Sequence, residues 1–442
     1  MSCSRERAFR RSKNPLPLGE GRVRGSCAGK TLTPTLSQGE REHLLDRPSR
    51  QLAARPMQRI LIVKLSSMGD VLHTMPAAQA LRLRFPAAHL GWAVERGHAE
   101  LLKGQPWLDE IIPWHRGGGF RQFAAFLGAL RRQPWDIAID FQGLFRSGLV
   151  TRLSGAKRRI GYVLGREKAH WFYTDRVPHP TWDRHAVDRY HDLVRVLGAR
   201  LPDLPLDRPY LDGRPPVANE LGRQLFPLHP SEEDRQQVTS WLAEAGIDRE
   251  QERLILINPH ARREANRWPP RNFAALARRL GKIPNVRVAL IAGPAAADLC
   301  EFIQREAGEN LLRADGRLSI LGSAELIGRA SVLVTGDTGP MHLAAAMGTR
   351  TVCLIGATHE RRTGPYAADA IIVKSGIECS PCYARRCPLH YDPPRCQEWI
   401  TVEMVAAAVE RQLELVGDGG SLFAGVPPAA KRSTHFPLPT TH

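Results

Sequence analysis

The sequence contains no apolar run long enough to cross a membrane. A spanning helix needs about 20 consecutive apolar residues, and no run in the 442-residue chain reaches that length. The N-terminus also lacks the apolar segment of a secretory signal. We therefore expect the protein to work in the cytoplasm, and peripheral attachment to a membrane surface stays open.

Two signatures of nucleotide and nucleic-acid binding are also missing. No G-x-G-x-x-G follows the first predicted strand, and no basic segment is interleaved with aromatic residues, which make up only 7% of the chain. The net charge of +17 and the pI of about 10.0 nevertheless favour an anionic partner. That partner is nucleic acid, an acidic membrane or a phosphorylated substrate, and charge alone does not distinguish them.

Residues 1–56 have little hydrophobic periodicity. They hold 12 basic and 5 acidic residues and many Gly, Pro and Ser, so they cannot bury enough apolar surface to offset the entropy of ordering. The phrases PLPLGEGR and LTPTLSQGERE resemble a translated bacterial intergenic repeat. We expect this segment to be disordered and Met57 to be the true start, and the alternative is a genuine disordered basic arm.

From Met57 onward, predicted strands and helices alternate. Apolar runs predict strands, and an apolar residue every three or four positions predicts a helix. The predicted strands are Ile60–Lys64, His89–Val94, Ile111–Trp114, Trp135–Asp140, Leu254–Asn258, Val286–Ala292, Ser331–Thr335 and Thr351–Ile355. The predicted helices are Val71–Arg84, Phe120–Arg131, Ser231–Ala245, Phe273–Leu280 and Met341–Met347. This order is typical of doubly wound parallel sheets.

A stretch rich in Pro, Leu and Asp at about 200–230 separates two such units. We predict an α/β protein with two Rossmann-like domains that face each other across a cleft. The domains are expected at 57–215 and 216–415, followed by a flexible tail at 416–442. Ligands of such sheets bind beyond the carboxyl ends of the strands, so the segments that follow strands are the candidate sites.

The first candidate segment is VKLSSMGDVLHTMP, Val63–Pro76. Gly69 lets the backbone approach a ligand closely, and Asp70 lies at the start of a helix. A carboxylate in a cleft can take a proton from an acceptor hydroxyl, so Asp70 is the candidate catalytic base, with helix capping as the alternative. Lys64 and Ser66 are candidate contacts for an anionic acceptor, although Lys64 is equally consistent with a solvated strand end.

The second candidate segment is VTGDTGPMHLAAAMG, Val334–Gly348, between a strand and a helix. Backbone N–H groups at a helix start can bind pyrophosphate. Thr338 adds a hydroxyl, and His342 lies one turn further along the helix. A well-capped helix is the alternative interpretation.

The third candidate segment is an arginine-rich loop that follows Asn258. Arg262, Arg263 and Arg267 can neutralise the charge of a diphosphate, since a guanidinium matches phosphate oxygens in a planar fork. A solvated basic loop is the alternative.

Four of the eight cysteines are clustered, with His390 among them. The spacing C-x2-C-x4-C-x8-C permits a tetrahedral zinc site. Disulfide or redox pairs and reduced packing cysteines are the alternatives. The residues concerned are Cys379, Cys382, Cys387 and Cys396.

Three segments carry a resemblance to a known family. In order, SSMGDVLHTMPA, RWPPRNFAALA and GDTGPMHLAAAMG resemble the bacterial lipopolysaccharide heptosyltransferases of glycosyltransferase family 9. The resemblance extends from Met57 to about residue 415, and its first segment is most similar to heptosyltransferase I. It implies a GT-B fold and a metal-independent, inverting transfer of L-glycero-D-manno-heptose from ADP-heptose to the Kdo region of Kdo-lipid A.

The resemblance also implies a setting and a set of alternatives. The enzyme would work in the cytoplasm, peripherally attached to the inner membrane, with no required cofactor and no nucleic-acid partner. Heptosyltransferase II or another family 9 core glycosyltransferase is the nearer alternative. A nucleotide- or nucleic-acid-binding protein without catalysis is the alternative from a different class.

Site residues follow from the same resemblance. Asp70 corresponds to the family's catalytic base. The donor-binding turn corresponds to Asp337, Thr338 and Gly339, and the histidine that follows it corresponds to His342. An acceptor-side loop corresponds to Asp140 and Gln142, in DFQGL.

Two positions depart from the family pattern. Asn266 stands where a lysine usually precedes Trp268 by two residues, and we expect Arg267 or Arg262 to bind the diphosphate beside it. Asp298 is only a weak replacement for the glutamate that often binds the donor ribose.

Overall fold

The computed structural model describes residues 59–178, 184–200, 225–367 and 369–417. The predicted N-terminal extension, the boundary expected near residue 215 and the tail beyond residue 417 lie outside these residues.

The first half of the chain forms a six-stranded parallel sheet in the order β3-β2-β1-β4-β5-β6. The strand β1 lies near the centre, where Ile60 is opposite Leu90 on one side and Ile137 on the other. Its sequence RILIV is buried on both faces, as expected for a parallel sheet covered by helices. The strands are β1 (Arg59–Val63), β2 (His89–Glu95), β3 (Glu110–Trp114), β4 (Ile137–Asp140), β5 (Arg158–Tyr162) and β6 (Asp175–Val177).

The second half repeats this architecture in the order β12-β11-β10-β7-β8-β9. Neighbouring strands are again parallel. In each sheet the strand order reverses at the centre, between β1 and β4 and between β10 and β7, which is where ligands of such sheets bind. The strands are β7 (Arg253–Asn258), β8 (Val286–Leu290), β9 (Leu312–Arg313), β10 (Val332–Gly336), β11 (Arg350–Leu354) and β12 (Ile371–Val373).

Helices connect the strands of both sheets. In the first half they are α1 (Met68–Arg84), α2 (Gly119–Leu130), α3 (Phe145–Leu153) and α4 (Ala186–Arg195). In the second half they are α5 (Glu232–Glu244), α6 (Pro270–Leu280), α7 (Ala297–Ala307), α8 (Ile320–Arg329), α9 (Gly339–Met347), α10 (Glu360–Thr363), α11 (Arg395–Glu398) and α12 (Val402–Gly417). Short 3₁₀ segments lie at Arg96–Leu102, Arg166–Phe172, Glu264–Asn266 and Pro294–Ala296.

One apolar core is continuous between the two halves. It includes Val71 and Leu72 of α1 together with Leu343 and Ala344 of α9. A second core packs behind the second sheet, around Phe273 of α6. No helix among the described residues has both the length and the apolar character needed to cross a membrane.

The structure confirms the predicted two-sheet α/β fold. All eight predicted strands are present, but β5, β6, β9 and β12 were not predicted. These strands are short or begin with charged residues, as in RRIGY and DRV. Such segments carry too few apolar residues in a row to be recognised from pattern alone.

Candidate active site

Asp70 lies in the first turn of α1, beyond the carboxyl end of β1. Its Oδ1 accepts a hydrogen bond from the Tyr190 hydroxyl at 2.8 Å and lies 3.4 Å from Lys64 Nζ. Its Oδ2 accepts from the Ser67 backbone N–H at 3.1 Å and from the Ser67 hydroxyl at 3.0 Å. The side chain is nevertheless 38% exposed, so a ligand can reach it.

The surroundings of Asp70 keep it charged. Burial raises the pKa of this carboxyl. The Lys64 charge and the hydrogen bonds from Ser67 and Tyr190 lower it by more than burial raises it, so that the pKa falls to about 2. The bonds to Ser67 have the geometry of a helix-capping carboxylate. Asp70 therefore combines both of the roles that the sequence left open, a cap at the helix start and an anion that faces the cleft.

Lys64 lies beneath Asp70 and is only 2% exposed. Its Nζ donates to the Tyr190 hydroxyl at 2.7 Å and to the Phe141 carbonyl at 3.1 Å. Burial lowers the pKa of this ammonium, while Asp70 and Asp140 raise it. Lys64 is thus not a solvated strand end, and in this conformation it supports Asp70 instead of facing an acceptor.

The DFQGL loop after β4 holds the loop of the first motif from one side. Gln142 Oε1 accepts from the backbone N–H groups of Leu65 and Ser66, each at 3.2 Å. Asp140 is fully buried, and burial raises its pKa. Its carboxylate accepts from the Tyr173 and Ser147 hydroxyls and from two backbone N–H groups of its own loop. Asp140 therefore shapes this loop from within.

Two further side chains beside Asp70 are absent from the predicted set. Arg146 donates to the Ser66 hydroxyl at 3.2 Å and lies 3.4 Å from Glu95. His98 lies close enough to Glu95, Arg262 and Asp70 for their charges to act on its pKa, which burial lowers. Arg146 lies in the first turn of α3 and His98 in the 3₁₀ segment Arg96–Leu102. A lone Arg or His in such a segment gives no sequence signal, and only the fold brings the two to this edge.

The start of α9 forms the facing wall in the second half. Thr338 is the residue before the helix, and no side chain caps the helix start. The Thr338 hydroxyl accepts from Asn258 Nδ2 at 3.1 Å, which joins the end of β7 to the turn after β10. A helix start without a capping side chain leaves backbone N–H groups for an anion. Here Pro340 contributes no N–H, and the Met341 N–H donates to the Thr338 carbonyl at 3.2 Å, so the Gly339 N–H is the helix donor nearest the turn.

Asn266 supports this turn from the arginine-rich loop. Its Nδ2 donates to the Asp337 carbonyl at 3.2 Å, and its side chain is buried. It therefore holds the turn in place and does not extend a polar group into the cleft. Arg262 and Arg263 are exposed, and Arg267 Nε donates to the Ala261 carbonyl at 2.9 Å. Asp298 is exposed at the start of α7.

His342 connects the two halves. Its Nδ1 is 3.0 Å from His73 Nε2 of α1, and both rings are buried. The His342 ring also lies directly against Gly69, where any larger side chain would overlap it. Burial lowers the pKa of His342, while the carboxylates of Asp337 and Asp70 raise it. His342 therefore lies between the base and the predicted donor turn.

The four clustered cysteines line one small cavity in the second half. They carry free thiols, and Cys379 and Cys382 are exposed while Cys396 is buried. Among the described residues, no three or more His, Cys, Asp or Glu side chains are arranged so that they could hold a metal ion. The geometry therefore gives the predicted zinc site no support.

Comparisons with known proteins identify the family. The sequence model of glycosyltransferase family 9 (heptosyltransferase) matches residues 123–391. Lipopolysaccharide heptosyltransferase 1 of Pseudomonas aeruginosa is 30% identical over 389 residues, which cover 80% of this chain and 98% of the relative. The corresponding enzyme of Escherichia coli K12 is 27% identical over 341 residues, covering 72% and 94%.

Solved structures have the same fold. A family 9 glycosyltransferase from Veillonella parvula has a TM-score of 0.67 at 22% identity, covering 81% of this chain and 98% of its own. E. coli heptosyltransferase WaaC with ADP-2-deoxy-2-fluoro heptose has a TM-score of 0.57 at 24% identity, covering 81% and 100%.

The two facing parallel sheets have the GT-B fold of these structures, and the sequence relatives show that the chain is a glycosyltransferase of this class. Within that class, the chain belongs to glycosyltransferase family 9.

Proposed function

We propose that this enzyme transfers L-glycero-D-manno-heptose from ADP-heptose to the Kdo region of Kdo-lipid A, with inversion at the anomeric carbon. The observation that carries the proposal is the placement of Asp70 opposite the start of α9, with His342 between the two helices. The alignments with two relatives named lipopolysaccharide heptosyltransferase 1 cover 98% and 94% of those proteins. This coverage favours heptose transfer to the Kdo region as the step in inner-core synthesis.

The donor would bind at the start of α9. The backbone N–H groups there, with the Thr338 hydroxyl, suit a diphosphate. Arg262 and Arg267 lie on the neighbouring loop and would offset the charge that develops on the departing ADP. The proposal therefore requires neither a cofactor nor a metal ion. Asn266 and Asp337 would keep the turn in the shape that the diphosphate needs.

Asp70 would act as the base toward the acceptor hydroxyl. Its carboxylate oxygens accept two hydrogen bonds from Ser67 and one from Tyr190, and Lys64 Nζ lies 3.4 Å from Oδ1. The Ser67 hydroxyl can rotate away and leave its place on Oδ2 to the acceptor hydroxyl. The acceptor then attacks the anomeric carbon from the face opposite ADP while Asp70 takes the proton.

The acceptor would lie along the edge of the first sheet. Ser66 and Gln142 lie in the loops beside Asp70, and Arg146 adds a cation suited to the carboxylate of Kdo or a lipid phosphate. The predicted acceptor residue Gly69 is instead buried against His342. Since the acceptor is a lipid, we place the enzyme on the cytoplasmic face of the inner membrane as a peripheral protein, with no nucleic-acid partner.

The test is transfer of heptose from ADP-heptose to Kdo-lipid A by wild type and Asp70→Asn. We expect turnover of the variant to fall at least about 100-fold, because general base catalysis is lost. A matched control exists in Asp234→Asn. Asp234 accepts from the Ser231 N–H at 2.9 Å and from its hydroxyl at the start of α5, as Asp70 does from Ser67.

The control separates capping from catalysis. Each variant is expected to lose about 0.5–2 kcal/mol of stability with its cap, and Asp70→Asn loses more because it leaves the buried Lys64 ammonium without its carboxylate partner. Only Asp70→Asn should lose turnover. Full turnover by Asp70→Asn would remove Asp70 from the mechanism. Lack of transfer from ADP-heptose by the wild type would reject the donor.

The nearer alternative is the second heptosyltransferase step. Lipooligosaccharide heptosyltransferase 2 of Haemophilus influenzae is 24% identical over 324 residues, covering 71% of this chain. An acceptor that already carries one heptose, supplied beside Kdo-lipid A, distinguishes the two steps by the product that forms.

A further inference from the structure

Exposed apolar side chains gather on the first half beyond the carboxyl ends of β4 and β5. Leu164 is 70% exposed and Trp171 is 60% exposed, and Phe145 and Val163 are also exposed. Phe145 packs edge-on against Phe172 at 5.2 Å, which joins the start of α3 to the 3₁₀ segment. This contact places Phe145 beside the segment that carries Val163, Leu164 and Trp171.

Basic side chains are interspersed with these apolar ones. Arg166 and Lys168 are exposed on the same segment, and Lys168 Nζ lies 4.9 Å from the centre of the Trp171 ring. The Glu167 carboxylate accepts from the Phe145 N–H and so faces its own chain. We call this surface the apolar–basic patch, made of Phe145, Val163, Leu164, Arg166, Lys168 and Trp171.

The patch lies along the same sheet edge as Asp70. The strand β4 neighbours β1, and β5 neighbours β4, and all three strands point their carboxyl ends to one edge. On the other side of Asp70, the segment after β3 presents an exposed Phe120 between Arg116 and Arg121. Apolar and basic side chains thus flank Asp70 on both sides.

We propose that the apolar–basic patch docks this edge of the enzyme on an anionic lipid surface. Aromatic rings settle at the level of the lipid headgroups, aliphatic side chains enter the outer part of the acyl layer, and Lys and Arg are attracted to negative headgroups. Nucleic acid fits the patch less well, because Leu164 and Val163 offer no ring on which bases can stack.

The inference rests on the proposed function, since docking here would bring Asp70 to a lipid-borne acceptor. It also adds to it, because it assigns membrane attachment to one surface. The binding assay contains no substrate, so its outcome does not depend on catalysis.

The test is co-sedimentation with vesicles of phosphatidylcholine, with and without phosphatidylglycerol. Wild type should bind the vesicles that contain phosphatidylglycerol. Leu164→Glu combined with Trp171→Glu should weaken binding at least about tenfold, since two anchors are lost and two negative charges are gained. Arg166→Gln with Lys168→Gln should remove most of the dependence on phosphatidylglycerol.

The matched control is Leu83→Glu combined with Trp399→Glu. These side chains are 49% and 50% exposed, and they lie at the far end of α1 and just beyond α11, away from the patch. The control should bind vesicles as wild type does. If wild type ignores vesicles, or if the patch variant binds as well as wild type, the docking surface is rejected. If wild type binds duplex DNA but not vesicles, and the patch variant loses that DNA binding, the patch is assigned to nucleic acid instead.

Heptose transfer to a lipid-free Kdo acceptor separates the two proposals. The patch variant should keep wild-type turnover with this acceptor. If neither wild type nor the patch variant transfers heptose while vesicle binding follows the expected pattern, the proposed function is rejected and the docking surface is retained.

Discussion

His73 Nε2 and His342 Nδ1 lie 3.0 Å apart, on helices from opposite halves of the molecule. His185 is packed against His73 at 4.9 Å between ring centres and is 3.1 Å from the Gly364 carbonyl of the second half. Three buried imidazoles therefore lie where the two halves meet. Burial disfavours the protonated, charged form of each of these rings.

The pH dependence of stability should follow from these imidazoles. Burial lowers the pKa of His73, His185 and His342, and His185 falls to about 3. The unfolded chain therefore binds more protons than the folded protein below about pH 6.5, so stability is complete above that pH and is lost as the pH falls. The carboxylates of Asp70 and Asp337 oppose this effect at His342.

His73→Gln tests this origin, because glutamine keeps a hydrogen-bonding group but does not titrate. We expect its free energy of unfolding to depend less steeply on pH than that of wild type, by up to about 1.4 kcal/mol per pH unit below about pH 6.5. Urea unfolding of both proteins from about pH 8 to about pH 5 measures the difference. Asp188 has a raised pKa, so its effect on the pH dependence of stability is opposite to that of the histidines. Both proteins contain Asp188, so its effect cancels in the difference between them. Parallel curves would contradict the prediction.

Gly69 and Gly339 make a matched pair of close contacts between the halves. A methyl group at Gly69 would overlap the His342 ring, and one at Gly339 would overlap the Met68 sulfur. His342 is held by His73, whereas a methionine side chain adapts easily. We expect Gly69→Ala to lose about 1–3 kcal/mol of stability and Gly339→Ala less than about 1 kcal/mol.

Urea unfolding of the two variants measures these losses, with Gly97→Ala as the control. A methyl group at Gly97 would meet no heavy atom within 4 Å. Equal losses of stability in Gly69→Ala and Gly339→Ala would contradict the prediction, because they would show that the His342 ring moves aside as readily as the Met68 side chain.

Tyr190→Phe should make Asp70 easier to protonate. The variant removes the hydroxyl that donates to Asp70 at 2.8 Å and accepts from Lys64 at 2.7 Å. Since that hydrogen bond lowers the pKa of Asp70, turnover of the variant should begin to fall at a higher pH than in wild type as the solution is acidified. We also expect a loss of about tenfold at neutral pH, because the carboxylate is held less firmly.

The pH profile of heptose transfer measures both effects, and Tyr173→Phe is the control. Tyr173 also donates from a buried hydroxyl to a carboxylate, that of Asp140 at 2.7 Å. Its removal should leave the acid side of the profile unchanged. A profile of Tyr190→Phe that coincides with wild type would show that Tyr190 does not position the base.

The cysteine cavity should react with alkylating reagents in a fixed order. Burial, with the neighbouring thiols of Cys382, Cys379 and Cys387, raises the pKa of the Cys396 thiol to about 11. Thiolates are the reactive form, so iodoacetamide should modify the exposed Cys379 and Cys382 first and Cys396 last. Mass spectrometry of timed samples measures this order. If all four cysteines resist alkylation until a chelator is added, the result would indicate bound zinc. If they resist alkylation until a reductant is added, it would indicate disulfides.

Much of the fold could be predicted because the central strands are continuous apolar runs. The segment RILIV of β1 is buried on both faces, and pattern alone identifies it. Ser231, the first residue of the predicted helix Ser231–Ala245, caps the start of α5 in the structure, since its hydroxyl accepts from the Asp234 N–H. Local chemistry determined these features, so local sequence was sufficient to find them.

The parts of the site that were missed depend on distant contacts. Tyr190 is 120 residues from Asp70 in sequence, and nothing in the helix AVDRYHDLVR marks its tyrosine as a partner of the base. The sequence presents Lys64 either as a contact for an anionic acceptor or as a solvated strand end, because its burial depends on the distant residues Tyr190 and Phe141. Only the packing of α4 against α1 brings these groups together.

The position of β1 and β10 within their sheets has a further consequence for amide exchange. Asp70 follows β1 and Asp337 follows β10, and each of these strands has two strands or more on either side. Opening of the edge strands β3, β6, β9 and β12 therefore leaves both site-bearing strands paired. Backbone amides of β1 and β10, together with those of the equally central β4 and β7, should be the last to exchange with deuterium, and the site should persist through fluctuations that release every edge of the molecule.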